Sequence, residues 1–489
     1  MSLAWPSRDG QFLISRASAG VPAGATRHRV GSLAVDVFGA LPVVPLRDGS
    51  ERLVGLLLGT PIDLEVGTLP AALTTQSRLT HESVGDFVER EVYRLAGSFI
   101  FVLEAEGCRR IYLDADGSKS LVYDPVEARA GATAMTLMDE QEYRDRLRLD
   151  LHRRLGVDQA GWFPAGLTAH QGICRLTCNH YLDLDSWTAH RHWPRAAIQE
   201  ADDPAPAFDA MLGRIRRTVE VLRGAGDVHV ALTAGTDSRF ILSGLRPDAP
   251  DVQFVTVAAP AGALDVAGAR TLSDRFGLRH QVLPYRRATR AEADAWQIRA
   301  GHCITGANMF MHPSVRPLAE SFFVGGLGGE IGRGFLWLTA GPDTPIDARA
   351  IVDRLKFPRE AELIEAVDAW LAPIAHLDTL LKLDLAYLEL RMSSWGFADA
   401  YANPVRGELH PMISRANYAA MLAVPWQKRR DGTVFRDAIA RAWPELLELP
   451  INRYGDWRDA AKRIADVMSN PRRAARKIRQ IVMTRGQAA

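Results

Sequence analysis

From Asp227 onward the chain alternates apolar runs with amphipathic ones, and this rhythm constrains the fold more than any other feature. "DVHVALTA", "DVQFVTVAA" and "RHQVLPY" read as strands, with "DSRFILSGLR" and "LDVAGARTLSDRFG" as the helices between them. Parallel strands need crossover connections, usually helical, so the alternation predicts a parallel sheet in an α/β domain. An amphipathic helix, "PAFDAMLGRIRRTVEVLRGAG", leads into it and ends at glycine. Farther on, "ESFFVGGLGGEIGRGF" again runs a strand into a glycine loop, and the rest reads as mainly helical.

The first 140 residues have a different pattern. "LAVDVFG", "RLVGLLLG", "GSFIFVLEAEG" and "RRIYLDADGSKSLVYDP" are short apolar runs that end at Gly, Pro or Asp, as strands do. "DADGSK" reads as a hairpin turn between two of them. A helical stretch, "DEQEYRDRLRLDLHRRLG", follows, then "WFPAGLTAHQGICRLTCNHYLDLDSWTAHRHWP", rich in turns and aromatics, reads as a connector. The expected division is a mostly-β domain over 1–150, a connector over 151–205 and an α/β domain with a helical extension and tail over 206–489.

Composition narrows the function. The 489 residues are 47% hydrophobic and 24% charged, with a formal net charge of +1. That balance suits a globular protein with a large core and argues against a surface that wraps nucleic acid. Only the segment from Arg458 to the end is basic, and a solvated helix face accounts for it. Four cysteines in a chain this long make no disulfide scaffold, and Cys174 and Cys178 lack the second pair that a zinc site needs. No targeting signal and no apolar run of membrane-spanning length stands out, so the expectation is a cytoplasmic protein without membrane contact.

The chemistry is expected where the first α/β strand meets its helix, in "VHVALTAGTDSRFILSGL". Ligands of parallel sheets bind beyond the carboxyl ends of the strands. Thr233, Ala234, Gly235 and Thr236 are small enough for the backbone to approach a phosphate, and the next helix offers free N–H groups at its start. Ser238 adds a hydroxyl. Asp237 would repel a bare phosphate, but it fits if Mg2+ lies between the two. No lysine follows the glycine, so this is not a Walker A loop. The second glycine loop, "VGGLGGEIGRGF", carries Gly326, Gly328, one acid in Glu330, and Arg333, whose fork suits phosphate oxygens.

Thr233–Ser238 resembles the S-G-G-x-D-S loop of enzymes that split ATP into AMP and pyrophosphate, with Thr for Ser and Ala for Gly. The second loop resembles S-G-E-G-A-D-E of the class B asparagine synthetases, relatives of the β-lactam synthetases and lasso-peptide cyclases. "LAGSFIFVLEAEGCRRIYLDADGSKSLVYDP" is similar to part of that family's N-terminal glutaminase-type Ntn domain, "TAHQGICRLTCNHYLDL" to its interdomain stretch and "YLELRMSSWG" to its late helix. The resemblance implies an Ntn-type sandwich followed by a HUP-like synthetase domain. It also implies ATP over Thr233–Ser238, Mg2+ on Asp237 and Glu330, and a substrate pocket near Glu389 and Arg391. Asn308, His302 and His312 fall where such a pocket forms, and Asp265 reads as a helix cap.

Three departures qualify it. A glutaminase needs an N-terminal cysteine, and none occurs before Cys108. Ser2 is the substitute nucleophile available, and the domain is not expected to supply ammonia. Leu327 stands where the family has an acid or tyrosine in the second loop. The lysine that follows "LP" is absent from "ELPINRYGDWRD", leaving Arg453 and Tyr454, with Lys428 upstream.

The expected activity is an ATP-dependent, glutamine-independent amide ligase. It would adenylate a carboxylate of a small molecule or peptide and pass the acyl group to an amine, within one molecule or between two. A second copy of the chain, a leader peptide or a partner protein are the partners compatible with this reading. Alternatives are a nucleotide-binding scaffold without catalysis, an ammonia-using synthetase, or an RNA-modifying enzyme whose basic tail would make binding salt-sensitive.

Overall fold

The computed structural model describes residues 5–16, 18–76, 78–395, 401–403, 407–456 and 458–459. Ser2 and most of the basic tail lie outside the described residues.

The strand–helix rhythm forms as read. Helix α1 (Ala205–Ala225) is followed by β1 (Val228–Ala231), α2 (Thr236–Gly244), β2 (Gln253–Val257), α3 (Ala263–Phe276) and β3 (Arg279–Leu283). Strands β4 (Phe322–Val324) and β5 (Gly407–Leu409) come after a long excursion. All neighbours pair in parallel, in the order β3-β2-β1-β4-β5. The winding reverses between β1 and β4, whose Val230 and Val324 stand side by side. Loops leaving two adjacent strands at such a reversal run apart and open a crevice.

The N-terminal half is two sheets face to face. One runs in the order Cys174–Arg175, Val122–Asp124, Arg129–Gly131, Phe12–Arg16, Leu33–Phe38, Ala25–Val30, antiparallel throughout. The other runs Thr188–Arg191, His180–Asp183, Cys108–Leu113, Ala96–Ala105, Leu53–Ile62, Val43–Arg47, Leu73–Thr74, with only the last pair parallel. The run "SFIFVL" is apolar at every position after its serine because both faces of its strand are buried. Ile100 and Val102 meet Phe12, Ile14 and Val35 of the facing sheet, while Phe99, Phe101 and Leu103 join the larger core shared with the α/β half.

Two expectations need correction. "DADGSK" is no hairpin, because the strands flanking it belong to different sheets. Asp114 folds the crossing: its carboxylate accepts the Phe99 amide at 2.9 Å and the Ser118 amide at 2.7 Å, and Gly117 takes a φ of 68°. Residues 151–205 are also more than a connector, since 174–175, 180–183 and 188–191 supply strands to both sheets. These runs are too short to show a period-two signal by themselves, and pairing with Val122–Asp124 and Cys108–Leu113 makes them strands.

His170 and His302 pack into the core around Tyr143. Tyr143 packs against Trp5 and His170, with ring centroids 5.2 and 4.1 Å apart, and its hydroxyl meets His302 Nδ1 at 2.7 Å. Neither ring nitrogen of His170 has a partner among the described residues. Burial, and then the nearby His302 and Arg146, drive its pKa down to about 3. Unfolded, the imidazole binds a proton below its ordinary value of about 6.5; folded, it resists until about pH 3. Its contribution to stability is therefore intact above pH 6.5 and lost as the pH falls toward 3. His170→Phe keeps the ring and removes this proton uptake. Urea unfolding between pH 6 and 4 should then show a stability slope smaller by about 1.4 kcal/mol per pH unit than in the wild type. An unchanged slope would contradict this assignment.

Candidate active site

The two glycine loops leave the carboxyl ends of β1 and β4 and pack on each other in the crevice. A Cβ placed on Gly326 would sit 3.7 Å from the Ser238 amide, and one on Gly329 would fall 2.1 Å from the Asp237 carboxylate. Gly328 needs its φ of 108°, and a side chain there would collide with Ile413. A larger residue at 329 would thus force the loops apart, and one at 328 would be strained and press on Ile413.

The first loop is held by its own hydroxyls. Thr233 Oγ1 and Ser238 Oγ lie 3.0 Å apart, and the Gly235 amide donates to Thr233 Oγ1 at 3.1 Å. Gly235 is the N-cap of α2, with Thr236, Asp237 and Ser238 in its first turn. Asp265 does not cap α3, whose N-cap is Gly262; its carboxylate accepts the Ala234 amide at 3.2 Å. Ala234 is small for a reason, since Gly268 of α3 packs directly against it.

The loops bring Asp237, Glu330 and Arg333 together. Arg333 grips Asp237 through both guanidinium nitrogens, at 2.5 and 3.0 Å, and stands 3.8 Å from Glu330. Burial would lower the pKa of Arg333, but the bond to Asp237 raises it above its ordinary value. A cation thus already lies between two carboxylates contributed by different loops. Glu330 Oε2 is buried without a hydrogen-bond partner among the described residues. This hard-oxygen pair fits Mg2+, which takes one or two protein carboxylates and completes its shell with phosphate oxygens and water.

Of the other expected residues, some reach the site and some do not. Asn452 donates its amide to the Ala234 carbonyl at 2.9 Å, which brings exposed Arg453 and half-buried Tyr454 to the flank of the first loop. Arg239, one turn into α2, makes this possible. It is 1% exposed, and its guanidinium donates to the carbonyls of Leu449 at 2.9 Å and Pro450 at 2.5 Å. Its burial lowers its pKa to about 10. Lys428 is exposed on its own helix, and Leu327 is half-buried against the core. His302 is bound to Tyr143, and His312 Nδ1 lies 2.9 Å from the Met309 carbonyl, so neither is a pocket residue.

Glu389 does not belong to the site. It is fully buried, and its two oxygens accept from Arg191 at 2.9 and 2.6 Å, Asn179 at 2.8 Å and Trp370 at 2.6 Å. Burial would raise its pKa, but Arg191 and Asn179 hold the carboxyl below its ordinary value. It is a staple between the strand Thr188–Arg191 and the helical segment Ala386–Met392. The same segment turns a different residue to the acids. The Tyr387 hydroxyl lies beside Glu330, and burial, then the Glu330 charge, raise its pKa well above the ordinary value. Tyr387 and Arg391 share a face, with the guanidinium 5.9 Å from the ring. Helical spacing in "YLELR" already puts residues 387 and 391 together and 389 opposite.

No family model matches this sequence, and no curated protein does. Among solved structures, the NH3-dependent NAD synthetase of Campylobacter jejuni overlaps 37% of this chain and 92% of its own, at 13% identity and a TM-score of 0.19. An allosteric regulatory enzyme of purine biosynthesis overlaps 73% of each chain at 12% identity and a TM-score of 0.20. Overlaps this loose say nothing of function.

Glu389→Gln tests the structural assignment. It leaves the Arg191 charge buried without a counter-charge, and loss of one partner of a buried pair costs about 3–5 kcal/mol. Chemical denaturation should register a loss of that order. A variant as stable as the wild type would contradict this buried role and place Glu389 in a solvent-open pocket.

Proposed function

We propose that this protein is an ATP-dependent amide-forming ligase that activates a carboxylate as its adenylate, releases pyrophosphate, and transfers the acyl group to an amine with loss of AMP. The observation that carries this reading is the convergence of Asp237 and Glu330, from loops after adjacent parallel strands, around the guanidinium of Arg333. Few structural roles call for a carboxylate pair at a sheet's topological switch point beside a free helix start.

In this reading Mg2+ is held by Asp237 and Glu330 and supplies charge neutralisation for the phosphates. Thr233, Thr236, Ser238 and the first amides of α2 bind the pyrophosphate portion of ATP. Arg333, which holds Asp237 through both guanidinium nitrogens, would offer the same fork to phosphate oxygens. Arg453 lies close enough through Asn452 to stabilise charge at the α-phosphate, in place of a lysine. Tyr387 offers a hydroxyl beside the acids, which Leu327 cannot. The N-terminal sandwich, read as a degenerate Ntn-type domain, acts as scaffold and not as an ammonia source. The amine is then free ammonia, a second substrate, or a group on the same molecule.

Thermal unfolding with ATP and Mg2+ tests this. At a hundred times the dissociation constant, ligand should add about 2.7 kcal/mol of stability, dependent on the metal and absent from Asp237→Ala and Glu330→Gln. AMP release with a panel of acids and amines would follow. ATP binding with no AMP from any pair would favour a catalytically silent scaffold. No response to ATP–Mg2+ or to pyrophosphate–Mg2+ would exclude the ligase.

A further inference from the structure

Arg391 is the most conspicuous group that the proposed chemistry leaves unused. Its guanidinium stands against four aromatic rings, those of Phe335 at 5.1 Å, Trp395 at 5.4 Å, Trp162 at 5.7 Å and Tyr387 at 5.9 Å. Its Nε is buried, and among the described residues it has neither a hydrogen bond nor a carboxylate. Four other ring-stacked arginines in this protein are each paired with an acid. Arg415 pairs with Glu89, Arg429 with Asp384, Arg191 with Glu389 and Arg333 with Asp237. A half-buried guanidinium without an anion is poorly solvated, so an incoming carboxylate meets a preorganised, partly dehydrated fork.

Its position relates it to the acid pair. The Tyr387 ring stands 5.9 Å from the Arg391 guanidinium and 5.3 Å from the Phe335 ring, and the Glu330 charge acts on its hydroxyl. The Phe335 amide donates to the Glu330 carbonyl at 3.4 Å, which ties the aromatic wall to the loop that carries the acid. This wall opens to solvent. Phe335 is 44% exposed, and Leu338, three residues on, is 69% exposed with a φ of 50°, a conformation that a leucine rarely adopts. Large apolar side chains held in the open beside a polar site mark a surface that a ligand covers.

We infer that Arg391 receives the carboxylate of the substrate, and that this substrate is an acid with an aromatic or aliphatic body which lies on Phe335. This rests on the ligase reading for its chemistry but not for its binding. The Tyr387 hydroxyl is a second donor to the same carboxylate, between Arg391 and Glu330. A small polar amino acid would leave the aromatic wall uncovered and gain only the ion pair.

Titration calorimetry with 3-phenylpropanoate and L-aspartate as probes tests the assignment, with and without ATP–Mg2+. In the wild type, 3-phenylpropanoate should bind about tenfold more tightly than aspartate. Arg391→Met keeps the stem among the rings and should weaken 3-phenylpropanoate about tenfold or more, with the ATP–Mg2+ thermal shift unchanged. Phe335→Ser, at an exposed position that does not threaten folding, should weaken 3-phenylpropanoate and leave aspartate as before. Equal affinity in both variants and wild type, a preference for aspartate, or no binding of 3-phenylpropanoate under either condition would each overturn the inference. The ATP–Mg2+ shift is read separately, so a failed nucleotide site and a failed acid site give different results.

Discussion

The buried carboxylate of Glu389 is the constraint around which the two halves are organised. An ionised group without solvent must be fully hydrogen-bonded, and here Arg191, Asn179 and Trp370 meet that requirement from two directions. Arg191 and Asn179 come from the sandwich, whereas Glu389 and Trp370 come from the helical extension of the other half. The same junction continues through Asn179 to Arg415, whose guanidinium lies between the rings of Tyr93 and Trp193 and also meets Glu89. With Glu389 turned toward the sandwich, helical geometry leaves Tyr387 and Arg391 to face the crevice.

At the crevice, backbone access decides the arrangement. Asp237 and Arg333 are ninety-six residues apart in sequence and become a bidentate pair because Gly329 leaves room for the carboxylate. A half-buried pair of this kind is weak evidence for stability, since part of its attraction is spent on dehydration. It joins two loops, next to a Glu330 oxygen that has no hydrogen-bond partner among the described residues. Arg239 adds a long-range element by fixing the 446–450 segment, so that the chain beyond it lies on the first loop.

Much of the α/β half could be read directly, since its strands and helices each carry their own periodicity and end signals. That Thr233 to Ser238 and the Glu330–Arg333 stretch leave the ends of parallel strands was legible, because each follows an apolar run and is rich in small residues. Glu389 was misread because an acid in a late helix looks the same in sequence whether it faces a ligand or an arginine from another domain. Tyr387 was passed over for the same reason, although its spacing from Arg391 was available. The short strands of 174–191 were hidden because two to four residues hold no period.

The parallel sheet and the two glycine loops that leave it, with their small residues and acids, were written in the linear order of residues. These follow from local rules: periodicity of side chains, helix starts, and the conformations open to glycine. The assembled fold settles that β1 and β4 are neighbours, that Arg333 lies between the two acids, that Glu389 faces inward and that Arg391 stands among rings with no carboxylate partner among the described residues. Each of these depends on contacts between residues far apart in the chain, and such contacts are settled by burial and charge pairing across the assembled core, for which a linear pattern holds no signal.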